Sequence, residues 1–506
     1  MPDSIVEKLH FKKEPLRVLF VAAEVYPYAT IGGLGMVMFS LSRALRELGI
    51  DARIFMPKYG SIDEKKYPME MVFQGLKVPT GEKEEGREFL ICNVKKHTPT
   101  QPSAPIYFLE NMEYYEKRSN VYGYSDDPIR FILLCRGALE FLRQSDWIPH
   151  VINCADWHTG ALPNFLKTIY KDDPVLSKIS TVFSIHNLSH QGVFDHRFVS
   201  ELDFDDGKSE IASFFSDKLP KQNFMKRGII YSDVINTVSE TYAREILTKE
   251  YGENLDDLLK EVRTKLFGIL NGVDYDTMNP TTDKFIPFNF SVSNLKPRTK
   301  NKIHLQKEFN LEISEKIPLL GMVGRLSEQK GIDLLFPCLE TLVEEFNCQF
   351  IIVGGGSGKY RAFFEEISKK LPKKIGCHLM YDLALGRHVF AGCDLFLIPS
   401  KFEPCGITQM EAMRYGAIPV VRKTGGLADT VEDFDPEKNS GTGFVFERFS
   451  SHALFGTIAR GLETYKYKKI WQNLIKRAMK MDFSWKVSAK KYLDLYQRAI
   501  SFHFQK

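Results

Sequence analysis

The segment Ser400-Lys-Phe-Glu-Pro-Cys-Gly-Ile-Thr-Gln409 combines groups that can bind an anion. It follows the apolar run Asp394-Leu-Phe-Leu-Ile-Pro399, which predicts a buried strand, and it precedes a segment of helical character that begins near Thr408. A helix N-terminus presents free N–H groups and the positive end of the helix dipole. Glu403 and the Thr408 hydroxyl therefore stand at a strand-to-helix turn that suits a phosphate.

Two cations stand at another predicted turn of the same half of the chain. The run Pro318-Leu-Leu-Gly-Met-Val-Gly324 predicts a strand, and Arg325 and Lys330 follow it five residues apart. The planar arginine fork and the lysine point charge are both used by proteins to bind phosphates. The alternative is that both residues are solvated surface charges.

A glycine-rich loop follows the first predicted strand. Arg17-Val-Leu-Phe-Val-Ala-Ala23 leads into Ala29-Thr-Ile-Gly-Gly-Leu-Gly35, and residues 37–48 have apolar side chains at helical spacing. Glycines such as Gly32 and Gly33 let a ligand approach the backbone closely. The spacing differs from the dinucleotide pattern G-x-G-x-x-G, so a nicotinamide site is disfavoured.

Polar residues also follow two further predicted strands. Val151-Ile-Asn-Cys154 leads to Asp156 and His158, and Ser180-Thr-Val-Phe-Ser-Ile185 leads to His186. Ligands bind beyond the carboxyl ends of strands in doubly wound parallel sheets. The alternative for each histidine is a buried ring with a hydrogen-bond partner.

The order of these segments predicts two domains. Strands alternate with helices on both sides of a stretch interrupted by Pro280, Pro287 and Pro297, which is typical of two doubly wound α/β domains. We predict a flexible lead-in at residues 1–16, an N-terminal Rossmann-like domain at 17–275, a junction at 276–300, a C-terminal Rossmann-like domain at 301–485, and a helix at 486–506 that returns to the N-terminal domain.

The composition excludes several classes of protein. The 506 residues are 43% hydrophobic and 26% charged, with a net charge of +4 that does not favour nucleic acid or an anionic membrane as partner. No apolar run reaches the roughly 20 residues of a membrane helix. The eight cysteines contain no C-x-x-C pair, which fits a reducing compartment, and we expect a cytoplasmic protein.

We expect no metal ion and no cofactor. The two D-x-D pairs, at residues 203–205 and 274–276, could hold a divalent ion through their carboxylates. Such pairs are more often solvated residues of loops or turns.

Several longer motifs together resemble one family. These motifs are Ala155-Asp-Trp-His158, Ile185-His-Asn-Leu188, Ile269-Leu-Asn-Gly-Val-Asp274, Gly324-Arg-Leu-Ser-Glu-Gln-Lys-Gly331, Pro399-Ser-Lys-Phe-Glu-Pro-Cys-Gly406, Arg422-Lys-Thr-Gly-Gly-Leu-Ala-Asp429 and Phe483-Ser-Trp485. With them, over roughly Leu16 to Arg498, the chain resembles bacterial-type glycogen and starch synthases, which are retaining glucosyltransferases of the two-domain GT-B fold. The resemblance implies two Rossmann-like domains that face each other across a deep cleft.

The resemblance implies a role for each candidate residue. The donor would be ADP-glucose, with UDP-glucose as the alternative, and the acceptor would be the non-reducing end of an α-1,4-glucan. The diphosphate would be bound by two cations and by the backbone of two loops, namely by Arg325, Lys330, Gly32, Gly33, Cys405, Gly406, Ile407 and Thr408. The nucleotide base would stack on Tyr381, although that residue could instead pack in the core.

The same resemblance implies a set of residues around the sugars. Asn271 and His186 would contact the glucosyl hydroxyls, and Glu403 would lie close to the donor sugar. Asp156 and His158 would lie on the acceptor side or position the sugar. We therefore expect Glu403, His186, Arg325 and Lys330 to be the catalytic residues.

The glycine loop departs from the family pattern at two positions. The family reads Lys-Thr-Gly-Gly-Leu or Lys-Val-Gly-Gly-Leu with an Asp downstream, where this chain has Thr30 and Met36. Loss of one charge-assisted hydrogen bond costs on the order of 1.5–3 kcal/mol. Two alternatives therefore stay open: a non-catalytic glucan-binding or regulatory homologue, and a GT-B enzyme that uses UDP-glucose or another acceptor.

Overall fold

The computed structural model describes residues 14–192, 205–356 and 358–505. The chain divides into two compact units. The first contains the described residues as far as Val238, Ala243–Gly272 and the residues from Trp485 onward, and the second contains Ser239–Tyr242 and Val273–Ser484. Most of the predicted lead-in, residues 1–13, lies outside the described residues.

The first unit is built on one sheet. Its nine strands run in the order β3-β4-β5-β2-β1-β6-β7-β8-β9. They are β1 (Arg17–Val21), β2 (Asp51–Pro57), β3 (Glu70–Pro79), β4 (Phe89–His97), β5 (Ile106–Glu110), β6 (Val151–Ala155), β7 (Ser180–Ile185), β8 (Val234–Thr237) and β9 (Leu266–Gly268). The central strands are parallel and almost fully buried, which explains the continuous apolar run of β1.

One edge of this sheet was not predicted. Strands β3 and β4 pair antiparallel with each other, and β4 pairs antiparallel with β5. Most residues of β3 are exposed or half-buried, so its sequence lacks the buried apolar run that marks β1. The helices assigned to the region before residue 273 are α1 (Gly33–Glu47), α2 (Asp127–Arg143), α3 (Ala161–Lys167), α4 (Phe224–Tyr231), α5 (Glu240–Glu245) and α6 (Asp256–Glu261).

The second unit has a fully parallel sheet. Its strands run in the order β12-β11-β10-β13-β14-β15. They are β10 (Leu319–Val323), β11 (Gln349–Val353), β12 (Ile375–His378), β13 (Leu395–Ile398), β14 (Ile418–Arg422) and β15 (Phe444–Phe446). The helices are α7 (Lys296–Glu308), α8 (Leu339–Glu345), α9 (Lys359–Lys370), α10 (Leu383–Gly392), α11 (Thr408–Arg414), α12 (Gly425–Thr430), α13 (Ser451–Tyr465) and α14 (Lys468–Lys480).

The predicted junction differs from the structure. Residues 276–300 belong to the second unit, where Arg387 Nη1 donates to Thr277 O and to the Asp283 carboxylate. Prolines interrupt regular secondary structure in this stretch, but they do not prevent its side chains from packing. The stretch is therefore a part of the second unit and not a linker between two domains.

The last helix, α15 (Trp485–Phe504), packs on the sheet of the first unit, as predicted. Two buried tyrosines fix its position: Tyr496 donates to Asn153 Oδ1 at 3.0 Å, and Asn236 Nδ2 donates to the Tyr492 hydroxyl at 3.0 Å. The predicted α/β class with two sheets and a returning C-terminal helix is confirmed. None of the described helices combines the length and the apolar character needed to cross a lipid bilayer.

Candidate active site

Glu403 forms a close ion pair in the second unit. It lies in the loop between β13 and α11 and is only 8% exposed. Lys330 Nζ is 2.5 Å from Glu403 Oε2, and the Ser400 hydroxyl donates to the same oxygen at 2.9 Å. The structure therefore joins two of the four predicted catalytic residues, Glu403 and Lys330, which are far apart in the sequence.

The loop that carries Glu403 is held by the Arg422–Asp429 motif. Arg422 Nε donates to Ser400 O at 3.0 Å, and its Nη2 donates to Lys401 O at 2.5 Å. A Cβ at Gly426 would lie 1.8 Å from Cys405 O, so the backbones touch only because this residue is glycine. Two of the seven motifs that carry the family resemblance, Pro399–Gly406 and Arg422–Asp429, are thus packed together.

A second glycine positions Lys330. Gly331 has a φ of +67°, and a Cβ there would lie 1.9 Å from Pro399 O. The neighbouring backbones are joined by a hydrogen bond from Lys401 N to Gln329 O at 2.8 Å. The turn after β10 is therefore docked against the end of β13, which carries Lys330 to Glu403.

A pocket of about 540 Å³ opens in the same unit, and its lining includes Arg325 from the turn that carries Lys330 and Thr408 from the end of the loop that carries Glu403. Arg325, Tyr381 and Thr408, three of the predicted donor contacts, line it. Tyr381 is 83% exposed, which excludes core packing. A pocket of this size is large enough for a nucleoside.

Residues 405–408, whose backbone is predicted to contact the diphosphate, form the turn that leads into α11. Cys405 is buried, Gly406 has a φ of +66°, and Ile407 precedes the first residue of the helix, Thr408. The chain therefore turns sharply at Gly406, where a positive φ favours glycine.

Sequence reasoning missed Glu411, which lines the same pocket as Thr408. Burial raises the pKa of the Glu411 carboxyl to about 7, although the nearby Arg387 opposes that shift. Glu411 stands three residues after Thr408 in α11, and such spacing places two side chains on one helix face. That spacing is the signal that could have found it.

In the first unit, Asp156 supports the loop that carries His186. Strands β6 and β7 are parallel neighbours, so their carboxyl ends share one edge of the sheet. Asp156 Oδ1 accepts hydrogen bonds from His186 N at 2.7 Å and Asn187 N at 3.4 Å. Burial nevertheless raises the pKa of the Asp156 carboxyl to about 7, because removal from water outweighs the two N–H donors.

His186 and Asn271 each have one buried polar atom that forms no hydrogen bond with the described residues. His186 Nε2 and Asn271 Oδ1 have no hydrogen-bond partner among the described residues. Burial lowers the pKa of His186 to about 4, so the ring is neutral near pH 7. Because buried polar atoms are almost always paired, these two atoms are suited to the hydroxyl groups of a ligand.

His158 is packed within an aromatic cluster. Its ring centroid lies 4.0 Å from that of Trp157, 4.8 Å from Tyr122 and 4.8 Å from Phe131. Burial lowers the pKa of His158 to about 3. The neutral ring thus packs against these three aromatic side chains. Its Nδ1 has no hydrogen-bond partner among the described residues.

The glycine loop is organised by Glu24, which sequence reasoning also missed. Glu24 Oε2 accepts hydrogen bonds from Ile31 N at 2.6 Å and Gly32 N at 3.0 Å, and Oε1 accepts one from the Tyr122 hydroxyl at 2.5 Å. A Cβ at Gly32 or Gly33 would meet no atom within 4 Å. The loop is thus held in place while its surface stays open to a ligand.

The D-x-D pairs have other partners where they are described. Asp203 lies outside the described residues, and Asp205 pairs with Arg227 at 2.9 Å. Asp274 Oδ1 accepts a hydrogen bond from Asp276 N at 3.0 Å, as is common in a turn.

Two family profiles match the chain. The profile described as "Starch synthase catalytic domain" matches residues 17–261, and the profile described as "Glycosyl transferases group 1" matches residues 305–481. The chain is also similar to curated glycogen synthases over almost its full length. It is 40% identical to that of Thermosipho melanesiensis, covering 96% of this chain and 99% of the relative, and 42% identical to that of Clostridium acetobutylicum, covering 96% and 100%.

Solved structures show the same relationship. The catalytic domain of starch synthase IV from Arabidopsis thaliana, bound to ADP and acarbose, superposes with a TM-score of 0.82 at 31% identity, covering 96% of this chain and 100% of that chain. A sucrose-phosphate synthase from Thermosynechococcus elongatus has a TM-score of 0.57 at 15% identity, with 96% and 99% covered, and shares the fold alone.

The buried Asp156 carboxyl predicts a pH-dependent stability. Its folded pKa of about 7 lies above the ordinary aspartate pKa of 3.8, so between these values the folded state binds a proton that the unfolded state releases. Raising the pH through this window therefore destabilises the fold, by at most about 1.4 kcal/mol per pH unit. Asp156→Asn should remove this loss.

The measurement is urea unfolding at about pH 5 and about pH 6.5, which lie inside that window. Tryptophan fluorescence reports mainly the first unit, which contains Trp147, Trp157 and Trp485. The control is Asp257→Asn, whose side chain is 87% exposed. Equal losses in the wild type and Asp156→Asn would contradict the prediction.

Proposed function

The chain belongs to the glycogen and starch synthase family of nucleotide-sugar glycosyltransferases, and from that premise we propose that it transfers glucose from ADP-glucose to the non-reducing end of an α-1,4-glucan. We propose that the transfer retains the anomeric configuration. The observation that supports this assignment most is the assembly of Lys330 and Glu403 at the carboxyl edge of the second sheet, in the unit that also contains the pocket lined by Arg325. The ADP bound to the plant relative supports the choice of nucleotide.

The donor's diphosphate is the leaving group, and its charge must be stabilised. As the bond between the anomeric carbon and the phosphate oxygen breaks, negative charge grows on the diphosphate, and fixed cations lower the barrier. We assign this role to Arg325 and Lys330. Arg325 is exposed in the pocket, and no described carboxylate lies within ion-pair distance of it. The backbones of residues 405–408 and of Gly32 and Gly33 are assigned to the same diphosphate.

The nucleoside occupies the pocket of the second unit in this proposal. Tyr381 offers an exposed ring on which a base can stack. Glu411 offers a carboxyl group that can accept hydrogen bonds from neighbouring ribose hydroxyls. Both contacts use side chains that are already present at the pocket wall.

The glucosyl group is assigned to the polar atoms that lack protein partners. His186 Nε2 and Asn271 Oδ1 would pair with its hydroxyls, and Asp156 holds the His186 loop from behind. Glu403 would bind sugar hydroxyls and stabilise the positive charge that develops on the ring. His158 supports the same region through its aromatic contacts.

Retention is assigned to a front-face reaction. The bond from the anomeric carbon to the phosphate oxygen breaks, the acceptor hydroxyl forms the new bond on the same face, and its proton passes to the departing phosphate. The His186 carbonyl would lie near the anomeric carbon. In this reaction Glu403 acts through charge rather than as a nucleophile, which fits its tight pairing with Lys330.

We also propose a cytoplasmic location. All eight cysteines are free thiols, and seven of them are buried. A protein without disulfides is typical of a reducing compartment.

The proposal is tested by incubating the purified protein with glycogen and labelled ADP-glucose or UDP-glucose. We expect incorporation into glycogen, with a preference for ADP-glucose. Preference for UDP-glucose would overturn the donor assignment, and incorporation from neither donor, with glycogen still bound, would overturn the proposed activity.

Removing either member of the ion pair should affect turnover more than binding. Glu403→Ala and Lys330→Ala should each reduce kcat at least about a hundredfold, because each removes a contact to the transition state. The control is Lys423→Ala, which removes an exposed lysine paired with Glu447. Near-normal kcat in both site variants would refute the catalytic assignment.

Restoring the family's cation should improve the use of the donor. Thr30→Lys adds a charge next to the loop assigned to the diphosphate, and one charge-assisted hydrogen bond corresponds to a gain in kcat/KM for the donor of about tenfold or more. Ile31→Lys, at a side chain that is 66% exposed, adds the same charge one residue later. Equal gains in both variants would indicate a general charge effect, and no gain in Thr30→Lys would exclude the contact.

A further inference from the structure

Three side chains that can bind a metal ion meet between helices α7 and α10 of the second unit. His304 and Glu308 are one turn apart on α7, and His388 lies on α10. One ligand atom from each lies within 4.8 Å of the other two. Glu308 Oε2 is 2.9 Å from His388 Nδ1 and 3.9 Å from His304 Nε2.

The hydrogen bond of His388 Nε2 determines whether the other ring nitrogen, Nδ1, carries a hydrogen in the neutral ring. His388 Nε2 lies 2.7 Å from Phe285 O, and a carbonyl oxygen can only accept, so Nε2 carries a hydrogen. In the neutral ring, Nδ1 then has a lone pair that faces Glu308 Oε2. These two atoms repel each other unless a cation, either a proton on Nδ1 or a metal ion, lies between them.

The third group distinguishes a metal ion from a proton. A proton on His388 Nδ1 satisfies Glu308 Oε2 alone, whereas a metal ion would bind His304 Nε2 as well. Around a tetrahedral zinc ion with ligand bonds of about 2.0–2.1 Å, ligand atoms lie about 3.3 Å apart. The two separations from Glu308, 2.9 and 3.9 Å, lie on either side of that value, and the ligand atoms of the two histidines lie within 4.8 Å of each other, so side-chain rotations would bring the three atoms to the spacing of a bound ion.

We propose that His304, Glu308 and His388 bind one divalent ion of the zinc class. Two imidazoles and one carboxylate favour Zn²⁺ and its transition-metal neighbours over Mg²⁺ and Ca²⁺, which prefer oxygen ligands alone. The bond from His388 Nε2 to Phe285 O is the outer contact that orients a metal-binding histidine. The side chains are 42%, 35% and 16% exposed, so an ion can enter from solvent and keep a water molecule as its fourth ligand.

The place of the site in the fold indicates a structural role. On α10, Gly386, Arg387 and Phe390 line the pocket described above, whereas His388 turns toward α7. An ion held by both helices would fix α10 while its pocket residues remain unchanged. This inference does not depend on the donor or on the reaction.

The test measures Zn²⁺ binding to the metal-free, full-length protein by equilibrium dialysis and by the thermal midpoint. The wild type should bind one Zn²⁺ more than His304→Ala, Glu308→Gln or His388→Ala, and Zn²⁺ but not Mg²⁺ should raise its midpoint. The matched control is His378→Ala, because His378 lines an adjacent pocket with His388 but lies outside the cluster. It should bind as the wild type does.

Co²⁺ gives a second measurement that does not rely on stability. Bound to the wild type in place of Zn²⁺, it should show the visible absorption of a cobalt ion with nitrogen ligands, and each of the three variants should lose that band. Zn²⁺ binding that is equal in all variants would place the ion elsewhere, for example on a thiol. No binding to the wild type would leave Glu308 and His388 as a simple ion pair. Either result overturns the proposal.

Discussion

The ion pair between Lys330 and Glu403 is the constraint around which the second unit is arranged. A carboxylate that is largely removed from water is unfavourable unless a cation and hydrogen bonds compensate it. That compensation requires the turn after β10 to reach the end of β13, which only a glycine at position 331 allows, and it requires the clamp from Arg422. The positions of Gly331 and Arg422 thus follow from the need to compensate the buried charge of Glu403.

The buried strands could be predicted from the sequence because both faces of a central parallel strand are covered. The apolar runs at residues 17–23 and 394–399 therefore marked β1 and β13 to within two residues at each end. Strands β3 and β4 could not be found in this way, since one face of each is largely exposed. The packing of residues 276–300 into the second unit depends on Arg387 and Asp283, whose contact is not visible in the local sequence.

Candidate residues that lie in long sequence motifs could be proposed from the sequence. Single carboxylates that lie outside such motifs could not. Glu403 and Lys330 stand in extended motifs, whereas Glu24 and Glu411 have no pattern around them that distinguishes them from surface residues. The partner of a carboxylate is not evident from its residue type. In the structure, Asp156 Oδ1 accepts hydrogen bonds from the backbone N–H groups of His186 and Asn187. The stacked rings around His158 were equally invisible, because Tyr122 and Phe131 are distant in sequence from it.

The contacts of Glu24 have a consequence for the entropy of binding. Fixing the backbone of one flexible residue costs roughly 1–2 kcal/mol. Because Glu24 already fixes Ile31 and Gly32 through their N–H groups, this cost falls on folding, and a ligand meets a loop that is ordered in advance. In the proposed donor complex, the contacts of this loop would therefore contribute to affinity without a further cost of ordering its backbone.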